Sequence, residues 1–208
     1  PVRRRRVAPN HTMTHVLNFA LRKLVSPSIE QKGSSVTAEK LRFDFSHNRA
    51  VSAAELQAVE TLVNDLISQS LPVSSQVVPL PQALKIHGLR AVFGEIYPDP
   101  VRVISVGAEV DDLLANPALE GWADVSVEFC GGTHVRNTGE AAAFVVLEET
   151  AVAKGIRRIT AVTGDLALEA GAAGSALEAS AAELTGRLLK AQMQMGEGGQ
   201  AGQGGAEE

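Results

Sequence analysis

Two histidines near the start of the chain, His11 and His15, stand four residues apart in the segment NHTMTHVLNFALRKL. Residues at this spacing lie over one another on one face of an α-helix, where two imidazoles can bind a single metal ion. An HxxxH pair taken alone is more often two unrelated histidines. Apolar residues at helical spacing from Met13 to Leu24 predict that the two histidines lie on the face opposite the apolar stripe.

The only cysteine, Cys130, and a third histidine, His134, occur together in the segment CGGTH. The two glycines between them permit a tight turn that directs both side chains toward one point. Three histidines and a cysteine form a donor set that Zn²⁺ accepts in tetrahedral geometry, whereas Mg²⁺ and Ca²⁺ prefer oxygen ligands. We therefore expect a zinc site formed by His11, His15, Cys130 and His134. Four protein ligands indicate a structural ion and three a catalytic one, and the spacing leaves both open.

These ligands must be positioned by a mixture of helices and strands. Asn10 is predicted to be the N-cap of a helix that ends at Lys23 or Leu24, and Ser52 with Glu55 forms a capping box at the start of a second helix. Alternating or short apolar runs predict strands in LRFDFS, around 74–78, after YPDP, in SVEF, and near 143–148 and 157–162. Because helices do not alternate strictly with strands, we expect an α+β fold with a mixed, largely antiparallel sheet packed with helices.

Composition limits the class of protein. The chain has 208 residues, of which 45% are hydrophobic but only 4% aromatic, so the core must be mainly aliphatic. A single cysteine excludes an internal disulfide and fits a reducing compartment. No apolar run reaches the length of a membrane span, so we expect no membrane partner. PVRRRRVAP lacks the apolar segment of a secretory signal.

The net charge of −5, from 19 basic and 24 acidic residues, does not indicate a nucleic-acid-binding protein. Local basic patches can nevertheless bind phosphates. Arg3 to Arg6 form one candidate patch, and Lys154, Arg157 and Arg158 form another. Exposed basic runs are more often simply solvated, and strand alternation predicts that Arg157 and Arg158 lie on opposite faces.

Five segments together resemble the editing domain of alanyl-tRNA synthetase. They are NHTMTH, QKGSSVTAEKLRFDFSH, GLRAVFGEIYPDPVRVISVG, SVEFCGGTHVRNTGE and KGIRRITAVTG, in the family's order from about Ala8 to Gly164. APNHT, NFALR and LRAVFGEIYPDPVRV resemble the eukaryotic form, and the plant or algal form in particular. The related threonyl-type domain shares HxxxH and the Cys/His pair, but LRFDFSH and GLRAVFGE favour the alanyl branch.

The resemblance implies a threonyl/alanyl-type editing fold and an enzyme that hydrolyses the 3′ ester of tRNA(Ala) mischarged with serine or glycine. It implies Zn²⁺ as cofactor at the four ligands above. Cys130, Gln31 and Thr14 correspond to residues with a catalytic role, and Thr14 and Gln31 also to substrate-binding residues. The backbone of Gly131 and Gly132 could approach the 3′ adenosine and donate N–H bonds to a developing oxyanion.

Blander interpretations compete with these roles. Without the resemblance, Gln31 fits a turn before Gly33 and Thr14 fits an ordinary helix-surface residue. The alternative function is a zinc-stabilised module that binds the acceptor end of tRNA without hydrolysing it. The expected partners are the acceptor end of tRNA(Ala) carrying serine or glycine and, if the chain is a fragment, the rest of a synthetase.

We expect three regions. Residues 1–163 form the zinc-containing editing domain, 164–195 the helical start of a C-terminal region, and 196–208 a disordered Gly-rich tail. Nothing in the sequence resembles the ATP-dependent aminoacylation domain of the alanine ligase, so ATP binding would belong to a parent enzyme. The chain is expected to be either a fragment of such an enzyme or a free-standing editing factor, in the cytoplasm or in mitochondria or plastids.

Overall fold

A computed structural model of the chain describes residues 2–92 and 94–198. The first helix, α1 (Val2–Leu24), begins well before the predicted start at Asn10. The prediction of an N-cap at Asn10 is wrong because this side chain makes tertiary contacts instead. Its Nδ2 donates to the carbonyl oxygen of Thr37 at 3.1 Å, and its Oδ1 accepts from Thr163 Oγ1 at 2.8 Å. Pro9 lies inside the helix without interrupting it.

The remaining elements form a mixed α+β succession that confirms the predicted fold class. In chain order they are β1 (Gln31–Val36), β2 (Leu41–Ser46), α2 (Ala53–Ser68), β3 (Val73–Val78), α3 (Leu80–Ala83), β4 (Val101–Val106), α4 (Val110–Ala115), β5 (Ser126–Phe129), β6 (Phe144–Ala153), β7 (Ile156–Thr163) and α5 (Asp165–Gly198). Single 3₁₀ turns occur at Glu120–Asp124 and Thr138–Ala141. The predicted capping box of α2 is present between Ser52 and Glu55.

The strands form two sheets rather than one. The first has the order β1-β2-β7-β6 and the second the order β3-β4-β5. Neighbouring strands in both sheets are antiparallel, and an isolated parallel bridge joins Arg90 to Glu128. Strand β1 has no counterpart in the sequence prediction, since its residues QKGSSV are poor strand formers that gain their conformation by pairing with β2.

Helix α1 contacts strands of both sheets, so it is covered on more than one face. Its apolar stripe packs with β2, β7 and α2 in a core of fully buried side chains, which includes Met13, Val16, Leu17, Ala20, Leu21, Phe43, Phe45, Val59, Val63 and Ile159. The opposite face, which carries the histidines, lies against β5 of the second sheet. His15 is therefore only 7% exposed, and this face of the helix is a buried interface between helix and sheet.

An ion pair joins the two central strands of the first sheet. Arg158 Nε and Nη2 donate to the two carboxylate oxygens of Asp44 at 2.6 and 2.7 Å. These hydrogen bonds hold the pKa of Asp44 below its usual range, although burial of the carboxyl group acts in the opposite direction. The pair stabilises the fold above the unfolded-state pKa of about 3.9, and this stabilisation is lost as the pH falls through the folded-state pKa.

Replacing Asp44 by asparagine is expected to lower the free energy of unfolding at pH 7 by about 1.5–3 kcal/mol, the usual contribution of hydrogen bonds to a charged group. Urea denaturation at pH 7 and at about pH 2 measures this, and the difference from the wild type should shrink at the lower pH. Glu39→Gln, at an exposed site before β2, serves as the control. An Asp44→Asn effect that is the same at both pH values would contradict the assignment.

The chain divides into two units, the first ending at Leu168 and the second beginning at Glu169. Both sheets belong to the first unit. In the second unit, α5 continues as the helix predicted after Gly164, with its leucines largely exposed. The helix includes the start of the predicted tail, and residues 199–208 of that tail lie outside the described residues. Within the described part of the chain, no helix combines the length and apolar character needed to cross a membrane.

Candidate metal centre

The structure brings the four predicted ligands together. His11 and His15 project from one face of α1, and Cys130 and His134 come from the loop that follows β5. One nitrogen or sulfur atom from each side chain lies within 4.8 Å of the others. The imidazole centroids of the three histidines are 4.5 to 5.3 Å apart, and Cys130 Sγ lies 3.4 Å from His11 Nε2.

A buried carboxylate holds one end of His15. His15 Nδ1 forms a hydrogen bond and ion pair with Glu128, whose other carboxylate oxygen accepts from Asn18 Nδ2 at 2.7 Å. Burial by itself would lower the pKa of His15, but the charge and hydrogen bond of Glu128, together with the nearby Cys130, outweigh burial and raise the pKa to about 10. Glu128 therefore holds the Nδ1 side of the His15 ring.

A hydroxyl group contacts His134. Thr12 Oγ1 lies 3.2 Å from His134 Nδ1, donates to the carbonyl oxygen of Ala8 at 3.0 Å, and accepts from the N–H of Val135 at 3.2 Å. Burial lowers the pKa of His134, which favours its neutral form. Thr12 thus joins the helix to the loop at the position of a predicted ligand.

Cys130 has the character of a metal-binding thiolate. Burial would raise the pKa of its thiol, but the nearby imidazoles of His11, His134 and His15 outweigh burial and lower the pKa to about 3. The N–H of Gly132 also points at the sulfur, at 3.4 Å. A thiolate is the form of cysteine that binds a metal ion.

The glycine loop is shaped by its neighbours. A Cβ atom built on Gly132 would overlap the edge of the His11 imidazole, whereas one built on Gly131 would meet nothing within 4 Å. Arg102 on β4 holds the loop from the other side, with a hydrogen bond from Nη1 to the carbonyl oxygen of Gly132. The predicted oxyanion contacts stay a prediction, and the Gly132 N–H is already directed at Cys130.

A cleft of about 380 Å³ opens beside the cluster and is lined by three of the four predicted substrate residues, Gly132 being the exception. Thr14, Gln31, His11, His15, Cys130 and Gly131 all contribute to its lining. Thr14 is 2% exposed rather than a helix-surface residue, and its hydroxyl donates to the carbonyl oxygen of Asn10 at 2.8 Å. Gln31 begins strand β1, and its Nε2 donates to Ser34 Oγ at 3.1 Å.

The second candidate basic patch is already neutralised in part. Arg157 pairs with Glu149 on β6, and Arg158 pairs with Asp44 on β2, so both guanidinium groups are engaged within the sheet. In the first candidate patch, Arg4 and Arg6 lie at the start of α1 with exposed side chains.

The sequence patterns did not predict three residues that surround the ligands, namely Glu128, Asn18 and Thr12. Glu128 stands two residues before Cys130, and residues two apart on a strand point to the same side. The sequence did contain a signal for Glu128, because a charged residue in the short strand SVEF stands two positions before the cysteine. Asn18 follows His15 by three residues, and therefore occupies the same helix face.

The donor set and its surroundings fit a transition metal ion. His15 Nε2 and His134 Nε2 are buried and, among the described residues, have no hydrogen-bond partner. Such orphaned acceptors are costly unless something binds them. Three imidazoles and one thiolate are ligands typical of Zn²⁺. The cluster can therefore hold a metal ion.

Comparison with known proteins gives the class of domain. Residues 101–160, which include Cys130 and His134, match the family described as the threonyl and alanyl tRNA synthetase second additional domain. The match covers strands β4, β5 and β6, most of β7, and two of the four clustered side chains.

More specific relatives place the chain in the alanyl branch. It is 57% identical over 169 residues to the mitochondrial alanine--tRNA ligase of Saccharomyces cerevisiae, covering 81% of this chain and 17% of that protein. It is 55% identical over 163 residues to the alanine--tRNA ligase of Candida albicans, covering 78% and 17%. It is 49% identical over 168 residues to the cytoplasmic enzyme of Dictyostelium discoideum, covering 81% and 18%.

Over about four fifths of its length the chain is similar to members of the alanyl-tRNA synthetase family, and it contains a match to the second additional domain of threonyl and alanyl tRNA synthetases. It spans about 17–18% of the length of these three relatives. The resemblance to this family is confirmed, and the eukaryotic sources of the three relatives agree with the predicted eukaryotic character. The predicted likeness to the plant form stays a prediction.

Proposed function

We propose that this chain hydrolyses the ester bond of tRNA(Ala) mischarged with serine or glycine. The observation that carries the proposal is the convergence of four metal-ligand side chains, three of which (His11, His15 and Cys130) line a cleft that also contains Thr14 and Gln31. The similarity to alanine--tRNA ligases supports a role connected with the charging of tRNA with alanine. The ATP-dependent ligase activity would belong to a longer parent enzyme, whose remaining domains would be partners of this one.

We propose Zn²⁺ as the ion, held by His11, His15, Cys130 and His134. When bound, zinc would supply a Lewis acid for the ester carbonyl oxygen or for the attacking water. The proposal is supported by the thiolate form of Cys130 and by the unpartnered, buried nitrogens of His15 and His134.

Thr14 and Gln31 would orient the amino acid of the substrate. Because Thr14 donates its only hydroxyl proton to Asn10, its oxygen is left as an acceptor for the hydroxyl of a serine side chain. Gln31 uses Nε2 to contact Ser34, which leaves its carbonyl oxygen free to accept from the substrate's ammonium group. Alanine lacks the hydroxyl, so the Thr14 contact favours serine over alanine.

In this reaction, a water oxygen bonds to the ester carbonyl carbon and the bond from that carbon to the ribose oxygen breaks. The ribose oxygen takes up a proton, so the products are the free amino acid and uncharged tRNA. A second site of this kind is useful because a binding pocket discriminates against one missing methylene by only about 1–3 kcal/mol.

An alternative follows from the ligand count. Four protein ligands fill a tetrahedral ion and are typical of structural zinc. The cluster would then stabilise a module that binds the acceptor end of tRNA without hydrolysing it. For the compartment we propose the cytoplasm, with mitochondria or plastids as further sites, and the relatives include enzymes named for the cytoplasm and for mitochondria.

Release of labelled serine from Ser-tRNA(Ala) tests the two functions directly. We expect the zinc-loaded chain to release serine and glycine faster than alanine, and a chelator that removes zinc to stop the reaction. Tight binding of the charged tRNA without any release would support the alternative. Release from mischarged threonine tRNA alone would reject the assignment to tRNA(Ala).

A further inference from the structure

Two side chains outside the predicted ligand set each contact one of the histidine ligands. Each contact is made at the ring nitrogen opposite the one that lacks a hydrogen-bond partner in the described part of the chain. Glu128 contacts His15 at Nδ1, and Thr12 contacts His134 at Nδ1. In both histidines, the opposite ring nitrogen, Nε2, is buried with no hydrogen-bond partner among the residues that the structure describes. The two histidines therefore share one arrangement although they come from different parts of the chain.

The hydrogen bonds of Thr12 determine which nitrogen of His134 carries hydrogen. A hydroxyl group has one proton to donate and two lone pairs to accept with. The proton of Thr12 goes to the carbonyl oxygen of Ala8, which cannot donate in return. One lone pair accepts from the N–H of Val135, so the contact with His134 must use the other lone pair and receive a hydrogen from Nδ1.

Glu128 gives the same result at His15. An ionised carboxylate only accepts, so Nδ1 of His15 must donate to it. The other carboxylate oxygen is occupied by Asn18 Nδ2 at 2.7 Å, and Glu128 itself is only 7% exposed. Because the carboxylate is held by both neighbours and shielded from water, the imidazole ring has little freedom to rotate.

We infer that Glu128 and Thr12 are positioning residues that keep the hydrogens of His15 and His134 on Nδ1, so that both rings present an Nε2 lone pair to one metal ion. This inference rests on the proposed metal site, and it adds the residues that select the ligating atoms. Partners of this kind fix the tautomer of a metal-binding histidine and raise its basicity.

Metal affinity of matched variants tests the inference. We expect Glu128→Ala and Thr12→Val to weaken Zn²⁺ or Co²⁺ binding by about 10–100-fold, the usual effect of losing such partners. Glu128→Gln should stay close to the wild type, because its carbonyl oxygen can still accept from His15. Asn18 now donates from Nδ2 to this position, and once its amide turns over, its Oδ1, which is unpartnered among the described residues, accepts from the new glutamine amide. Thr12→Ser should also be close to the wild type.

The control is Glu120→Ala, which removes an exposed carboxylate from the 3₁₀ turn and should leave affinity unchanged. Equal affinity of Glu128→Ala, Thr12→Val and the wild type would overturn the inference. So would a Glu128→Gln protein as weak as Glu128→Ala, because an orientation role predicts rescue by the conservative variant.

Long-range ¹H–¹⁵N correlation spectra of the histidine rings report the tautomers without any substitution. In the zinc-loaded wild type we expect hydrogen on Nδ1 and metal on Nε2 of both His15 and His134, and the reverse pattern would overturn the inference. In the metal-free protein, His134 should already carry its hydrogen on Nδ1. This last result is expected even if no metal binds, so failure of the metal site and failure of the inference are distinguishable.

Discussion

Replacing Cys130 by alanine is expected to weaken Zn²⁺ binding by more than about 100-fold, beyond the 10–100-fold cost of losing a residue that only supports a ligand. The variant loses the only sulfur ligand and the negative charge that offsets the ion's charge. Serine release from Ser-tRNA(Ala) should fall below detection in the same variant. Cys130 is only partly buried, so the free energy of unfolding of the metal-free protein should change by about 1 kcal/mol or less.

His87→Ala is the matched control for this experiment, because His87 is an exposed histidine outside the cluster. It should retain both zinc and activity. Undiminished hydrolysis by Cys130→Ala would remove the thiolate from the mechanism. Full zinc content in that variant, measured by titration against a chromophoric chelator, would show that three histidines suffice to hold the ion.

Replacing Gly132 by alanine is expected to disrupt the cluster although no ligand is changed. The added methyl group would overlap the edge of the His11 ring, so either the ring or the loop must move. Overpacking of this kind costs about 1–3 kcal/mol. We expect a loss of stability in that range, measured by urea denaturation of the zinc-loaded protein, and weaker zinc binding because His11 is displaced.

Gly131→Ala provides a control one residue away. Nothing lies within 4 Å of a Cβ atom at this position, so the same methyl group should be accepted with little change in stability or zinc affinity. Equal effects of the two substitutions would indicate that the loop needs glycine for backbone flexibility alone. Equal tolerance of both would contradict the close approach of Gly132 to His11.

The ligands could be predicted from the sequence because residue type and spacing are enough to identify them. His11 and His15 lie on one helix face whichever residue begins the helix. The wrong prediction of an N-cap at Asn10 therefore did not affect the prediction of the histidine pair. Cys130 and His134 are joined by a short glycine turn, which keeps them near each other whatever surrounds the loop. The α+β class followed equally from local patterns such as LRFDFS and SVEF.

The surroundings of the ligands could not be predicted because they depend on contacts between distant segments. Asn10 looks like a helix cap locally, but it bonds to Thr37 and Thr163 in the folded chain. The packing of β5 against the histidine face of α1 could not be predicted, because the two segments are far apart in the sequence. Glu128 becomes a partner of His15 only through that packing, across 113 positions of sequence.

X-ray absorption at the zinc edge, combined with metal analysis of the purified chain, tests the central claim most directly. We predict one zinc ion per chain, with one sulfur neighbour at about 2.3 Å and nitrogen neighbours at about 2.0–2.1 Å. Zinc well below one per chain, or a first shell of light atoms without sulfur, would contradict the site formed by His11, His15, Cys130 and His134.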